Sequence, residues 1–203
     1  MRLSSLSILC AFAMAGVSMP AMAADVPPAP VDPVLVIHGG AGVVRTGLSD
    51  AEAAAARDAL ARALRIGHAQ LRDGRPALDA VVAAITVLED DPAFNAGHGA
   101  VFTHEGRNEL DASLMDGATR AAGAVAGVRR IRNPIQLARH VMDDSPHVML
   151  VGEGAETFAQ AQGMPFVDPA WFHTEKRWEQ LQKARSDADA ARNAHAAVAD
   201  DPL

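Results

Sequence analysis

Between Ala121 and Val128 the chain reads AAGAVAGV, a stretch without a side chain larger than valine. Read as part of a strand running on to Ile131, it has little bulk of its own to bury. Gly123, Ala124 and Ala126 instead allow another layer to come very close. A chain built around such a strand has to be layered. The remaining sequence can supply the layers: 49% of its 203 residues are hydrophobic and 21% charged, which suits a packed core and excludes wholesale disorder. The length fits one domain or part of a larger one. A formal net charge of −7, with no Lys/Arg block, argues against nucleic-acid and anionic-membrane surfaces. Aromatics at 4%, with no tyrosine, disfavour a stacking platform for single strands.

The N-terminus reads as an address rather than as structure. Arg2 gives a short positive start, Leu6 to Val17 is apolar apart from Ser7, and Ala21-Met22-Ala23 supplies a small-x-small cleavage pattern. Residues 1–23 are therefore expected to be a signal peptide cut after Ala23, too short to span a membrane. Cys10, the single cysteine, leaves with it, so neither disulfides nor thiolate chemistry are expected afterwards. An exported, cysteine-free chain fits a periplasm.

A Pro-rich spacer over residues 24–33 leads to a domain expected over 34–185. Val34 to Ile37 reads as a buried strand ended by Gly39 and Gly40. Ser49 and Glu52 form a capping-box signature, and Leu60, Leu64 and Leu71 then recur near helical spacing up to Gly74. A second helix is predicted from Pro76 to Glu89, with Leu78, Val81, Val82, Ile85 and Leu88 inward. After a Gly-rich loop over Asn95 to Gly99, Ala100–Thr103 and Glu109–Met115 suggest a hairpin turning at Glu105-Gly106. Asn133-Pro134 reads as cap and first turn of a helix. His147–Val151 reads as a strand and Glu153–Gln162 as a helix closed by Gly163. Residues 186–203 are Ala- and Asp-rich and read as a flexible linker. This order suggests a mixed α/β or layered α+β domain.

Three segments are candidates for chemistry. His38-Gly39-Gly40-Ala41-Gly42 follows a strand, and its glycines allow a backbone to approach a ligand, although a tight turn under a sheet uses the same residues. It matches neither nucleotide-binding glycine pattern. Leu88 to Gly99, LEDDPAFNAGHG, sets three acids at the negative end of a helix dipole. That misfit hints at a bound cation or a tightly turned loop. Asp111, Ser113 and Asp116 form a third polar group, which on its own reads as a cluster under a loop. The histidines show no H-x-x-x-H or H-E-x-x-H spacing, and no serine sits in a G-x-S-x-G elbow.

Together VLVIHGGAG (34–42), LEDDPAFNAGHGAVF (88–102), ELDASLMDGATRAAGAVAGV (109–128), IRNPIQLARHVM (131–142), SPHVMLVGEGAETFA (145–159) and FHTEKRW (172–178) resemble, in order, the plant-type asparaginases. These are also called isoaspartyl peptidases and belong to the N-terminal-nucleophile hydrolases. The resemblance implies the α-subunit half of an αββα four-layer sandwich whose precursor cuts itself, with a Thr as first residue of the β subunit and nucleophile. None of Thr46, Thr86, Thr103, Thr119, Thr157 and Thr174 lies in the Gly-Thr-Val-Gly-Ala context of that cut, so the nucleophile is expected beyond this chain. By the same resemblance Asn95 supports the nucleophile and Gly39 and Gly40 line the active-site loop. The backbone carbonyls of Leu88, Glu89, Asp91, Phe94, Ala96 and His98 would hold a structural sodium ion, with no cofactor for the chemistry. The implied partner is a β subunit from the same precursor in an (αβ)2 assembly, with asparagine or an isoaspartyl dipeptide as substrate. Two alternatives stand beside this one: a glycosylasparaginase of the same family, and a truncated, non-catalytic chain that needs a β partner.

Overall fold

The computed structural model describes residues 32–40 and 47–199. The expected signal peptide, all but the end of the Pro-rich spacer, Ala41-Gly42 and residues 200–203 lie outside the described residues. Helix α1 runs Asp50–Arg72 and starts on the capping box: Ser49 Oγ accepts the Glu52 N–H at 3.2 Å and the Glu52 carboxylate accepts the Ser49 N–H at 2.9 Å. Helix α2, Ala77–Glu89, packs along it. Their buried line is Ala59, Ala63 and Gly67 against Ala80 and Ala84. Leu78, Val81, Val82, Ile85 and Leu88 of α2, expected inward, are only half-buried, as are Leu60, Leu64 and Leu71 of α1. Small residues four apart let the two backbones close on each other, which leucines would prevent.

Strands β1 (Leu110–Met115), β2 (Ala122–Val128) and β3 (Met149–Val151) form one sheet in that order, β1 antiparallel and β3 parallel to β2. The parallel pair is joined through α3 (Pro134–Asp144), and α4 (Gly152–Ala161) follows β3 directly. Both helices pack on the sheet, in a core holding Val125, Val128, Ile131, Ile135, Leu137, Val141 and Phe172. The architecture is mixed α/β. β2 packs as its composition demands: a Cβ on Gly123 would fall 2.1 Å from the Ala138 carbonyl oxygen, so α3 lies directly on the strand. The other face carries Ser113 and Met115 of β1, Ala122, Ala124 and Ala126 of β2, and Met149 and Val151 of β3. Met115, Met149 and Val151 are more than half exposed there.

Three expectations are corrected. Val34–Ile37 forms no ladder among the described residues: Val34 and Val36 are more than four-fifths exposed, while Leu35 rests on Gly67 of α1. An apolar β-branched run makes a buried strand only where a neighbour supplies hydrogen bonds. Ala100–Thr103 makes a single bridge, Phe102 with Asn108, rather than a hairpin strand. The Asn108 side-chain amide takes the carbonyls of Ala100 and Val101 at 2.9 and 3.2 Å, consuming acceptors that a ladder would use. Asn133 occupies the cap position of α3 but makes no side-chain cap bond; its amide donates to Asp90 at 3.1 Å.

Helix α5 runs Glu175–Ala199 and takes in residues 186–199, which the sequence assigns to a linker. Ala-rich composition and an i,i+4 pair, Lys183–Asp187 at 2.8 Å, favour that helix locally. No helix among the described residues is long and apolar enough to cross a membrane.

Candidate active-site loops

The loop after α2 is shaped by two glycines that admit no side chain. Gly97 has φ +49°, and a Cβ there would lie 2.1 Å from the Glu89 carbonyl oxygen; one on Gly99 would lie 1.9 Å from that of Phe94. The Gly97–Gly99 turn closes through Gly99 N–H to Ala96 O and Ala100 N–H to Gly97 O, both 3.1 Å. Asn95 is exposed at the rim of this turn. Its Oδ1 accepts the Val101 N–H at 3.0 Å, which fixes the side chain by its acceptor end, while its amide N–H groups have no protein partner among the described residues.

The other expected loop arrives at the same place. A Cβ on Gly39 would meet the Phe94 ring at 3.3 Å and Leu60 of α1 at 3.2 Å. The His38-Gly39-Gly40 backbone thus rests against the residue preceding Asn95, and Gly40 turns away with φ +104°. Two segments more than 50 residues apart in sequence form one rim. Asp111, Ser113 and Asp116, by contrast, do not form a cluster. Asp111 accepts the Gly127 N–H at 2.8 Å beside the irregularity in the β1–β2 register. Asp116 ties the Asp116–Ala121 turn through Ala118 N–H and Thr119 Oγ at 2.9 and 2.8 Å.

Each of the three acids at the end of α2 has its own protein partner. Glu89 is 3% exposed, and its Oε1 accepts the Ile135 N–H at 3.0 Å while Oε2 has no partner. Burial pushes this carboxyl up to about 8, against the lowering effect of the Ile135 and Asn133 hydrogen bonds, so it is neutral at pH 7. Asp90 pairs with Arg132 at 3.0 Å, and Asp91 with Arg62 at 2.6 Å while accepting the Ala93 N–H at 3.0 Å. The three acids read from sequence as a misfit thus each have a protein partner. A separate observation does fit a bound cation. The carbonyls of Leu88, Asp91 and Ala96 accept backbone N–H groups, but those of Glu89, Phe94 and His98 accept none among the described residues. The Glu89 and Phe94 carbonyls also sit in cradles that a Cβ would fill. Neutral carbonyl oxygens suit a hard cation.

Sequence reasoning missed what holds this loop. His98 stacks on Trp171 with centroids 4.9 Å apart, and the Arg132 guanidinium lies 4.6 Å over the Trp171 ring. Arg177, in the first turn of α5, donates from Nε to the Gly99 carbonyl at 2.8 Å. Arg177 falls within the FHTEKRW stretch, but no local pattern announces a contact across 78 residues.

A family model described as asparaginase matches residues 31–202. The isoaspartyl peptidase of Escherichia coli K12 is 50% identical over 155 residues, covering 76% of this chain and 48% of that protein. The isoaspartyl peptidase/L-asparaginase of Bos taurus is 44% identical over 160 residues, 79% of this chain and 51% of that protein. The plant-type L-asparaginase of Pyrococcus furiosus is 44% identical over 149 residues, 73% and 47% respectively. The chain spans about half the length of the curated relatives it matches.

Proposed function

Because the chain belongs to the asparaginase family, we propose that it forms the α portion of an amidohydrolase acting on L-asparagine and β-aspartyl peptides. One observation carries this reading: the His38-Gly39-Gly40 and Asn95 segments, far apart in sequence, meet at Phe94 to make a single rim. The relatives, named isoaspartyl peptidases and L-asparaginases, favour asparagine and β-aspartyl substrates over glycosylated asparagine.

The nucleophile is a Thr in the half of the relatives' length that this chain does not span. Its hydroxyl is inert at its ordinary pKa and needs a base. In the precursor it attacks the preceding carbonyl, the acyl group moves from N to O and frees the α-amino group, and water then hydrolyses the ester to release the preceding segment as a carboxylate and free the hydroxyl. That amine titrates near 7.7–8.0 in model peptides, which suits it to take the hydroxyl proton. Attack on the substrate's side-chain carbonyl expels ammonia from asparagine, or the peptide amine from a β-aspartyl bond. Water then resolves the acyl-enzyme and releases aspartate. In this scheme Asn95 presents amide donors to the nucleophile's surroundings, and Gly39 and Gly40 let the backbone pass close by. A sodium ion on the carbonyls of the 88–98 loop would stiffen that loop and take no part in bond-making. The exposed small-residue face of the sheet supports a second layer from the β portion, as a four-layer sandwich requires, and an (αβ)2 assembly belongs to the same reading. A leader cut after Ala23 and a periplasmic location belong to the same reading.

The test is a joined precursor in which residues 24–203 are followed by the C-terminal half of the E. coli relative. Intact mass is expected to show two fragments, and the product to hydrolyse asparagine and a β-aspartyl dipeptide. Asn95→Asp keeps the acceptor for Val101 but loses the donors. At about 1–3 kcal/mol for such a loss, maturation or turnover is expected to fall ten- to a hundredfold. An uncut, inactive product overturns the reading.

A further inference from the structure

We infer that Arg177 is a positioning residue for Asn95, acting through the Gly99 carbonyl, an inference that rests on the role proposed above for Asn95. Gly99 closes the turn that follows Asn95, pressed against the Phe94 carbonyl so tightly that no Cβ fits. Its N–H is spent inside the turn, on Ala96. Its carbonyl points the other way and is taken by Arg177 Nε at 2.8 Å. Two residues on, the Val101 N–H holds Asn95 Oδ1 at 3.0 Å. The Asn95 amide is therefore referenced to α5 through only two peptide units, Gly99–Ala100 and Ala100–Val101.

The surroundings of Arg177 fit that task. The side chain is partly buried, and burial lowers its pKa. Among the described residues it has no carboxylate within ion-pair distance; its other partner is Gln180 Oε1 at 2.9 Å. Partial burial without a counter-ion makes each remaining hydrogen bond of the guanidinium matter more, the one to the Gly99 carbonyl included. Neighbouring basic residues of α5 act elsewhere. Lys176 reaches Glu52 in the cap of α1 at 2.6 Å, and Arg185 takes the His104 carbonyl. Those contacts anchor the helix without touching the Asn95 turn.

The first measurement uses the chain itself, by hydrogen exchange resolved to single amides. In Arg177→Gln the amides of Gly99, Ala100 and Val101 are expected to exchange at least tenfold faster, with β1 and β2 unchanged. Arg177→Lys, which keeps a cation and a donor, is expected to recover part of the protection. Lys176→Gln is expected to leave loop exchange as in the wild type. The second measurement uses the joined precursor. Arg177→Gln is expected to lower kcat about tenfold at unchanged KM, because the loop orients the nucleophile rather than holding substrate. Unchanged loop exchange in Arg177→Gln, or an equal rise in Lys176→Gln, overturns the inference whatever the joined protein does. If Asn95→Asp impairs turnover and Arg177→Gln does not, the inference fails alone. If Asn95→Asp leaves turnover intact, the role proposed for Asn95 fails and the exchange data decide whether Arg177 holds the loop.

Discussion

A carboxyl group buried at the end of α2 takes the backbone N–H of Ile135, in the first turn of α3, at 3.0 Å. Because burial keeps Glu89 neutral at pH 7, Glu89→Gln preserves both shape and acceptor and is expected to change thermal stability by less than about 1 kcal/mol. Glu89→Ala leaves the N–H unmet and a cavity behind, and is expected to cost about 2–4 kcal/mol by denaturant titration. Glu156 behaves in the opposite way. Burial raises its pKa, but the N–H groups of Arg129 and Arg130 and the Arg130 guanidinium together outweigh that, and the net shift is downward. With the folded pKa below the ordinary 4.5, its contribution is present above that pH and is lost as pH falls through the folded value. Wild-type stability is therefore expected to drop on acidification below about 4.5, and Glu156→Gln to flatten that part of the profile. The residues of the rim were legible because Gly39, Gly40 and Asn95 sit in compact motifs. The Ile135 partner of the Glu89 side chain, and the contacts of Trp171 and Arg177, were not, since each joins residues distant in sequence.

Among the elements, β2 and α3 have the tightest fit. Gly123→Ala would put a methyl group 2.1 Å from the Ala138 carbonyl, so α3 has to move off the strand. The expected loss is about 2–3 kcal/mol, while Ala124→Val on the opposite face should cost under about 1 kcal/mol in the chain alone; thermal unfolding of the pair checks this. Periodicity and caps located α1 to α4 and all three paired strands. They misjudged which residues go deepest in α2, because hydrophobicity favours leucine, valine and isoleucine where close approach to α1 demands alanine. They also made a buried strand of Val34–Ile37, since an apolar run does not reveal whether a partner strand is present.

For the molecule as a whole, the exposed sheet face decides behaviour in solution. Met115, Met149 and Val151 stand around a floor of alanines, a flat apolar surface of the kind that seeks a partner. The purified chain is expected to self-associate with rising concentration in sedimentation velocity, and Met149→Lys with Val151→Lys to suppress it. A strictly monomeric wild type at high concentration would contradict this. The Glu89 bond also orders assembly in time. Its two ends are 46 residues apart, and α3 has Pro134 in its first turn but lacks the support of a side-chain cap from Asn133. An eleven-residue helix without such support is a poor nucleus. α3 is therefore expected to form late, once the end of α2 has docked. Since α3 is the crossover between β2 and β3, the parallel pair closes later still, and the rate of that closure is where Glu89→Ala is expected to slow refolding.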